Sequence, residues 1–265
     1  MPDPNLAQKP TVSHLSYSAC RAFHTSLAVF EKTYINHEKF VTPLVMAVGS
    51  AWHAGVEELY RNGGKTPYID LALKYLLDEK DNLKEAQETD EEKLEEFEQN
   101  FKKAYLKLEQ HLRAYPTVEK LWEPGEHIEK KVKMASPVEG GYPIVGRMDM
   151  VSKANEPVDH KYVGRYGASS PWDYYIQAWF YYPMVNHLTG EYPKRAIFSE
   201  YKHSVNRDGS PQLQEIVIEY KKEWMDKVSR WYYETSQNIR NQAYYPANPF
   251  KAYDNDSWKE YLFDK

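Results

Sequence analysis

Apolar side chains recur at helical spacing through the first half of the chain and predict a succession of helices. One helix is predicted over Ala19–Tyr34, with Ser16 or Ser18 as the residue that caps its N-terminus. A second helix is predicted over Met46–Tyr60. Two apolar stripes within residues 67–113 are typical of two or three more helices, so this half of the chain is predicted to be helical.

After Pro124-Gly125 the pattern changes from helical spacing to alternation, which is typical of strands. Helices are predicted again at Trp172–Leu188 and Lys221–Arg240. No internal repeat or low-complexity linker separates the two halves, so one α/β domain over residues 1–265 is predicted, with a helical insertion at about 61–125. The predicted strands are Glu126–Ala135, Pro143–Asp149, Pro157–Lys161, Arg195–His203 and Leu213–Tyr220.

The segment from Tyr142 to Lys161 contains the strongest candidate chemistry. Two short apolar runs end at Asp149 and Asp159, and polar Lys153–Glu156 between them predicts the turn of a hairpin. A hairpin would bring the two carboxylates together, where they repel each other unless a divalent cation lies between them. Lys161 lies two residues after Asp159 and points to the same face of the strand. The combination suits phosphodiester hydrolysis, although acids and lysines at strand ends are also common as solvated residues.

Two predicted helices add candidate side chains at a spacing of four residues. Gly49, His53 and Glu57 share one face of the second helix. On this face Gly49 would let another backbone approach closely, His53 could ligate a metal, and Glu57 could bind a second ion or a water. Gln177 and Tyr181 share a face of the helix at 172–188 and could point at the same site. The alternatives are that His53 is an ordinary histidine and that Tyr181 is one of many packed aromatic residues.

The charge of the chain is unevenly distributed. The formal net charge of −5 is unusual for a protein that binds nucleic acid. Residues 78–98 contain eleven acids and three lysines, a net of −8, which leaves about +3 for the remainder. This run predicts a solvated helix face that DNA would avoid, whereas a nuclease needs only a local field and a metal. Candidate phosphate contacts are Arg165, Arg147, Lys153 and Lys202, although basic surface residues are usually only solvated.

Cysteine use and hydropathy limit the class of protein. Cys20 is the only cysteine, which excludes an intrachain disulfide and a cluster held by several cysteines of this chain. No run approaches the roughly 18 apolar residues of a membrane span. The polar segment Met1–Lys9 lacks the apolar core of a signal peptide, so a cytoplasmic protein without a membrane partner is expected. The motif G-x-x-x-x-G-K-[ST] is absent, so any helicase would be a separate partner.

Five segments, taken in their order along the chain, resemble the PD-(D/E)XK nuclease superfamily, specifically its RecB-like exonuclease branch of AddB-type and phage nucleases. They are LSYSAC, GSAWHAGVEELY, GRMDMV, VDHK and QAWFY. The resemblance covers roughly residues 13–60 and 126–250. It implies an α/β fold of restriction-endonuclease type, in which helices flank a mixed central sheet.

The resemblance also implies a metal site. His53, Asp149 and Asp159 would ligate a catalytic Mg²⁺ or Mn²⁺, together with the backbone carbonyl of His160. Oxygen ligands with one imidazole suit either ion.

The remaining roles that the resemblance implies concern the water and the nucleic acid. Lys161 would position and help activate the attacking water and stabilise charge on the phosphoryl oxygens. Gln177 and Tyr181 would hold the nucleic-acid end or the lysine, and Glu57 could assist through a second ion or a water.

The chain departs from many members of this branch because the tail segment Asn248–Asp254 contains no cysteine, so no iron–sulfur cluster is expected. The expected function is metal-dependent DNA exonuclease activity in recombination, repair or phage DNA metabolism. A recombination, helicase or single-strand-binding protein is a possible partner. The alternatives are a structure-specific endonuclease, a non-catalytic nucleic-acid-binding module on the same fold, and an interaction protein built on the helices.

Overall fold

The computed structural model describes residues 12–38, 42–65, 67–85, 91–166 and 171–241. The cysteine-free tail, on which the expected absence of an iron–sulfur cluster rests, lies outside these residues. Within them, no helix has both the length and the apolar character needed to cross a membrane.

Helices and strands occur in the predicted order, with ends displaced by a few residues. A π-helical turn at Glu31–Ile35 and a 3₁₀ turn at Tyr115–Thr117 complete the described secondary structure. The helices are α1 (Tyr17–Thr25), α2 (Leu27–Phe30), α3 (Leu44–Arg61), α4 (Tyr68–Asp78), α5 (Lys80–Glu85), α6 (Glu91–Ala114), α7 (Pro171–Thr189) and α8 (Lys222–Arg240). The strands are β1 (Pro124–Met134), β2 (Ile144–Ser152), β3 (Pro157–Val163), β4 (Arg195–Lys202) and β5 (Gln212–Glu219).

The chain divides into two compact units. One comprises Met1–Phe40, Lys131–Gly146 and Lys221–Lys265, and the other comprises Val41–Lys130 and Arg147–Tyr220. The assignment of residues 1–265 to a single domain with an insertion at about 61–125 stays a prediction.

The first predicted helix is interrupted at Ser26, so the prediction of one continuous helix over 19–34 is wrong. Ser26 has an extended backbone, with φ −158° and ψ 111°, and its hydroxyl accepts a hydrogen bond from the Val29 N–H at 3.4 Å. Ser16 caps α1 in the same way, since its hydroxyl accepts from the Ala19 N–H at 3.1 Å. A serine that bonds to its own backbone neighbourhood offers the chain an alternative to continuing the helix.

Polar contacts connect distant segments inside the first unit. The Tyr232 hydroxyl on α8 donates to the Tyr142 carbonyl at 2.7 Å. His24 Nε2 on α1 lies 2.7 Å from the Thr235 hydroxyl oxygen of α8. Each of the predicted site residues belongs to the second unit.

Trp52 fixes α3 in the core of the second unit. Its side chain is fully buried, and its ring stacks on Tyr162 of β3 and Tyr201 of β4, with centroid distances of 5.2 and 5.7 Å. Such aromatic pairs contribute roughly 0.5–1.5 kcal/mol each beyond their burial. The helix face next to Trp52, which carries His53, is therefore held in a defined position over the sheet.

The sheet is mixed, as predicted. Its strand order is β1-β2-β3-β4-β5, with β3 antiparallel to β2 but parallel to β4, and β4 antiparallel to β5. Parallel neighbours need a crossover connection, and α7 provides it between β3 and β4. Because α3 contacts β3, and α7 contacts β3, β4 and β5, helices flank the sheet.

The glycine that permits close packing of α3 is Gly55, and the prediction for Gly49 is wrong. A Cβ atom on Gly55 would lie 2.9 Å from Ala72 Cβ and 3.0 Å from Leu112 Cδ2. A Cβ atom on Gly49 would meet no described atom within 4 Å. The close approach predicted for Gly49 therefore occurs six residues later, at Gly55, against α4 and α6.

The two glycines of α3 form a matched pair for a stability test. Gly55→Ala is expected to destabilise the protein, because overpacking costs about 1–3 kcal/mol. Its gain of about 1 kcal/mol in helix propensity offsets only part of that cost. Gly49→Ala gains the propensity without the clash and should stabilise the protein by up to about 1 kcal/mol. Urea unfolding in EDTA measures both, and changes of the same sign would contradict the packing argument.

Candidate active site

The predicted hairpin is present and places the two acids on neighbouring strands. β2 pairs with β3 through Met150↔Val158 and Val151↔Pro157. Continued by one residue, this register sets Asp149 opposite Asp159. The His160 N–H donates to Asp149 Oδ2 at 2.7 Å, which ties the first acid to the backbone beside the second.

Asp159 is the most heavily bonded side chain of the site. It is 3 % exposed, and its Oδ1 accepts from Gln177 Nε2 at 2.8 Å and from the Tyr181 hydroxyl at 2.6 Å. Lys161 Nζ lies 2.5 Å from the other oxygen, Oδ2, at ion-pair distance but without hydrogen-bond geometry. The predicted face of α7 and the predicted lysine thus meet at one carboxylate.

Tyr181 acts as a donor in this network. Burial, followed by the negative charges of Asp159 and Asp149, raises the pKa of Tyr181 well above its ordinary value. The phenol therefore keeps its proton, and its oxygen also accepts a hydrogen bond from Gln177 Nε2 at 2.7 Å. Gln177 and Tyr181 are both buried, so they orient the Asp159 carboxylate from inside the protein.

Asp149 lies in an environment that disfavours its charge. Burial, followed by repulsion from Asp159, raises the pKa of Asp149 well above its usual range, and Lys161 opposes this only in part. His53 Nδ1 lies 3.7 Å from Asp149 Oδ2. Although a third of the His53 side chain is exposed, burial of the remainder lowers the pKa of His53 to about 4. Near neutral pH the imidazole is thus uncharged and keeps a lone pair for a metal.

Glu57 lies one turn after His53 and lines the same pocket as His53 and Asp149. Its carboxylate is engaged by Arg61 in a close ion pair along α3. The structure therefore brings Glu57 to the site as predicted, but as one half of an i, i+4 pair.

Glu129 is a third acid at this pocket, at a position that no sequence pattern predicted. The residue has a left-handed backbone, with φ +48°, and its carboxylate lies 3.2 Å from Arg147. Burial raises the pKa of Glu129, and its charge in turn contributes to the raised pKa of Asp149. No motif marks Glu129, and it lies on β1, far from the acid motifs in the chain. The unusual backbone is typical of residues at functional sites.

His160, between the acid and the lysine, has an apolar side-chain environment. It is 4 % exposed, and neither ring nitrogen has a hydrogen-bond partner among the described residues. Its ring lies 6.0 Å from Tyr60 in a stacked arrangement and 5.3 Å from Trp122. Burial lowers the pKa of His160 well below its ordinary value, so the ring is neutral. The predicted role of its backbone carbonyl as a ligand stays a prediction.

The predicted phosphate contacts occupy different environments. Arg165 is exposed in the segment after β3. Arg147 is paired with Glu129, and Lys153 with Glu123 at 2.8 Å. Lys202 Nζ lies 5.3 Å from the centre of the Tyr166 ring. Direct contact with DNA stays a prediction for all four.

The donor chemistry of the site fits a divalent cation. Two repelling carboxylates and a neutral imidazole are suitable ligands for Mg²⁺ or Mn²⁺. The raised pKa of Asp149 means that its ionised form is destabilised, and a bound cation would stabilise it. No three His, Cys, Asp or Glu side chains of the described ranges already form a cage for an ion. Asp159 instead holds Lys161, so the carboxylate would have to exchange or share that contact to ligate a metal.

Comparison with known proteins identifies the same fold. A family model described as the PD-(D/E)XK nuclease superfamily matches residues 14–253. The crystal structure of a proposed exonuclease from Eubacterium rectale superposes with a TM-score of 0.56 at 14% identity, covering 87% of this chain and 82% of that one. The crystal structure of SSO0001 has a TM-score of 0.32 at 13% identity, covers 82% of each chain, and supports no conclusion. No curated protein matches the sequence.

Removing the charge of Asp149 should stabilise the metal-free protein. Above about pH 4 this carboxyl group loses its proton in the unfolded chain but keeps it in the folded protein, because its folded-state pKa is raised. The free energy of unfolding therefore falls as the pH rises from about 4 to the folded-state pKa. Asp149→Asn removes this loss, and its amide oxygen can still accept from the His160 N–H. Urea unfolding in EDTA at pH 8 should therefore show a higher free energy of unfolding for Asp149→Asn than for wild type.

That gain should shrink towards pH 4. Glu126→Gln, at an exposed position of β1, serves as the control and should show no comparable trend. An equal gain for Asp149→Asn at both ends of the pH range would contradict the electrostatic explanation.

Two adjacent tyrosines test the charge on Asp159. Tyr181→Phe removes the hydrogen bond to the buried Asp159 carboxylate, for which about 1.5–3 kcal/mol is typical, and also the bond that the phenol accepts from Gln177 Nε2. Tyr182→Phe removes a bond from the Tyr182 hydroxyl to the neutral Ile218 carbonyl, 2.7 Å away, for which about 0.5–1.5 kcal/mol is typical. Unfolding free energies in EDTA should therefore fall more for Tyr181→Phe, and the reverse order would show that Asp159 is not held as a charged group.

Proposed function

The chain belongs to the PD-(D/E)XK nuclease superfamily, and we propose that it is a divalent-metal-dependent DNA exonuclease. The observation that supports this most strongly is the convergence on Asp159. Lys161 from the same strand and the Gln177–Tyr181 pair from α7 meet at this carboxylate, opposite Asp149. Membership of the superfamily implies a nuclease and a nucleic-acid substrate; the choice of DNA and of exonucleolytic action is the proposal.

Asp149, Asp159 and His53 are the side chains that would hold Mg²⁺ or Mn²⁺, with the His160 carbonyl as a further ligand. The chemistry supplied by the bound ion is a more acidic water near neutral pH and compensation of charge on the phosphoryl group. Each of the three side chains comes from a different element, α3, β2 or β3, and all three elements belong to the second unit.

Lys161 supplies positive charge where the scissile phosphate would lie. Its ammonium is held by Asp159 Oδ2 and retains N–H donors for a water or a phosphoryl oxygen. A positioned cation of this kind stabilises charge that develops in the transition state. Lys161 is partly exposed, so a substrate can reach it.

Gln177 and Tyr181 act on the reaction through Asp159. Both donate to Oδ1, so the carboxylate presents its other oxygen, Oδ2, on the side of Lys161. This arrangement fixes the rotation of the carboxylate before substrate binds, which is the form of preorganisation that lowers barriers. We propose positioning as their main role; contact with the DNA end is a further possibility that their burial disfavours.

The biological setting that we propose is recombination, repair or phage DNA metabolism. It is supported by the resemblance of the five motifs to RecB-like exonucleases. Arg165, which is exposed after β3, is the proposed phosphate contact nearest in sequence to Lys161.

The decisive experiment is digestion of end-labelled linear DNA, closed circular DNA and RNA with Mg²⁺, Mn²⁺ or EDTA. Metal-dependent loss of linear DNA alone is expected. Asp159→Asn and Lys161→Ala should each reduce the rate about 10²–10⁴-fold, because each removes a group that acts on the transition state. Lys102→Ala, at an exposed lysine of α6, is the matched control and should retain activity.

Other outcomes assign the protein differently. Cutting of circular DNA would identify an endonuclease, and digestion of RNA alone would overturn the choice of substrate. If folded wild-type protein binds DNA without cutting it under any of these conditions, the site is a non-catalytic binding module. Thermal unfolding of each variant separates loss of activity from loss of fold.

A further inference from the structure

The pocket lined by His53, Glu57, Glu129 and Asp149 is called the acidic pocket. A cleft lies beside it and has no role in the proposed reaction. Its volume is about 400 Å³, within the range of about 300–1,000 Å³ that is typical of small-molecule sites. It lies between the end of α3 and the segment that connects α6 to β1. Residues that line it include Leu59, Tyr60, Pro116, Val118, Lys120 and Trp122.

The walls of the cleft suit a flat aromatic group. Leu59, Val118 and Pro116 are apolar, and Tyr60 and Trp122 contribute ring surface. The Tyr60 and Trp122 rings lie 5.3 Å apart at an angle of 61°, in an edge-to-face arrangement, so two aromatic rings meet at one side of the cleft. Every nucleobase has a π face, and stacking on such side chains is a general way to hold an unpaired base.

Lys120 supplies a fixed positive charge at the same cleft. Its Nζ donates to the carbonyls of Tyr115 at 3.0 Å and Val118 at 2.7 Å, and it lies 4.3 Å from the centre of the Tyr115 ring. Two of the three N–H donors of the ammonium are used in this way, which leaves one for a ligand. Burial lowers the pKa of Lys120 to about 8, so a nearby phosphate would favour the charged form.

The cleft is continuous with the acidic pocket through one side chain. Tyr60 lines the cleft and also lines the pocket that contains His53 and Asp149. The same ring stacks on His160, which lies between Asp159 and Lys161. A ligand in the cleft and a group bound at His53 and Asp149 would therefore both lie beside the Tyr60 side chain.

We propose that this cleft binds one unstacked base of the DNA strand whose phosphate lies at Asp149 and Asp159. The inference rests on the proposed function and extends it to a class of substrate. A base inside an intact duplex is paired and stacked, so only a single strand or a frayed end can place a base in the cleft. Lys120 would then contact a phosphate of the same strand.

The test measures binding of single-stranded oligonucleotides in which one abasic residue is moved stepwise along the strand. Every protein carries Lys161→Ala and is kept in Ca²⁺, so that the strand stays intact. Val118→Trp fills the cleft from a half-buried position and leaves Trp122 in place. Leu121→Trp adds the same ring at a neighbouring, 58 % exposed position outside the cleft.

The protein that carries Lys161→Ala alone is called the open protein. In it, an abasic residue at one position should weaken binding about 5- to 150-fold, which corresponds to the loss of one stacked base. Val118→Trp should bind every oligonucleotide as weakly as the open protein binds that abasic strand. Leu121→Trp should behave like the open protein. Thermal unfolding must show that all three proteins are folded.

The proposal fails if no abasic position weakens binding, or if the same position weakens binding equally in the filled and open proteins. It also fails if Leu121→Trp loses the position dependence, because the effect would then not belong to the cleft. Since binding is measured without cleavage, failure here is separable from failure of the nuclease assignment. Cleavage by wild type without an abasic effect rejects only the base site, and an abasic effect without cleavage by wild type rejects only the nuclease activity.

Discussion

The burial of the Asp159 carboxylate is the constraint on which the arrangement of the candidate site depends. A carboxylate with almost no exposure to water is tolerated only when charged or hydrogen-bonding groups satisfy it. Here Lys161 supplies the charge, and Gln177 and Tyr181 supply the hydrogen bonds. Asp149, directly across the hairpin, has no comparable compensation, and its raised pKa records the imbalance. The metal-free protein thereby loses stability at a position where a bound cation would restore it. Functional sites are often destabilising for the fold in this way.

Strand pairing and aromatic packing fix the two helices, α7 and α3, that carry side chains of the candidate site. The parallel pairing of β3 with β4 requires a crossover, and that crossover is α7, which returns Gln177 and Tyr181 to the strand that carries Asp159. On the other helix, buried Trp52 packs against two strand tyrosines, which fixes the position of α3 over the sheet and hence that of His53. Neither helix needs a loop to place its functional side chains.

The negative net charge of the chain is compatible with a nucleic-acid substrate because the relevant charges are local. The acidic run occupies residues 78–98, whereas Lys161 follows His160 on β3 and Lys120 lies against the ring of Tyr115. If a base occupies the cleft while its phosphate lies at the acids, Tyr60 contacts both ends of the same nucleotide. Recognition of an unpaired base and placement of the phosphate would then be coupled through one side chain.

The sequence by itself determined the features that depend on local periodicity. Alternation predicted the hairpin that brings Asp149 and Asp159 together, and a spacing of four residues predicted that Gln177 and Tyr181 share a face. Only the tertiary structure decided which groups are paired: Glu57 with Arg61, Arg147 with Glu129, and close packing at Gly55 in place of Gly49. It also added Glu129, which no motif marks. The physical reason is that periodicity is imposed by the backbone over a few residues, whereas burial and charge pairing depend on segments that are distant in the chain and meet only after folding.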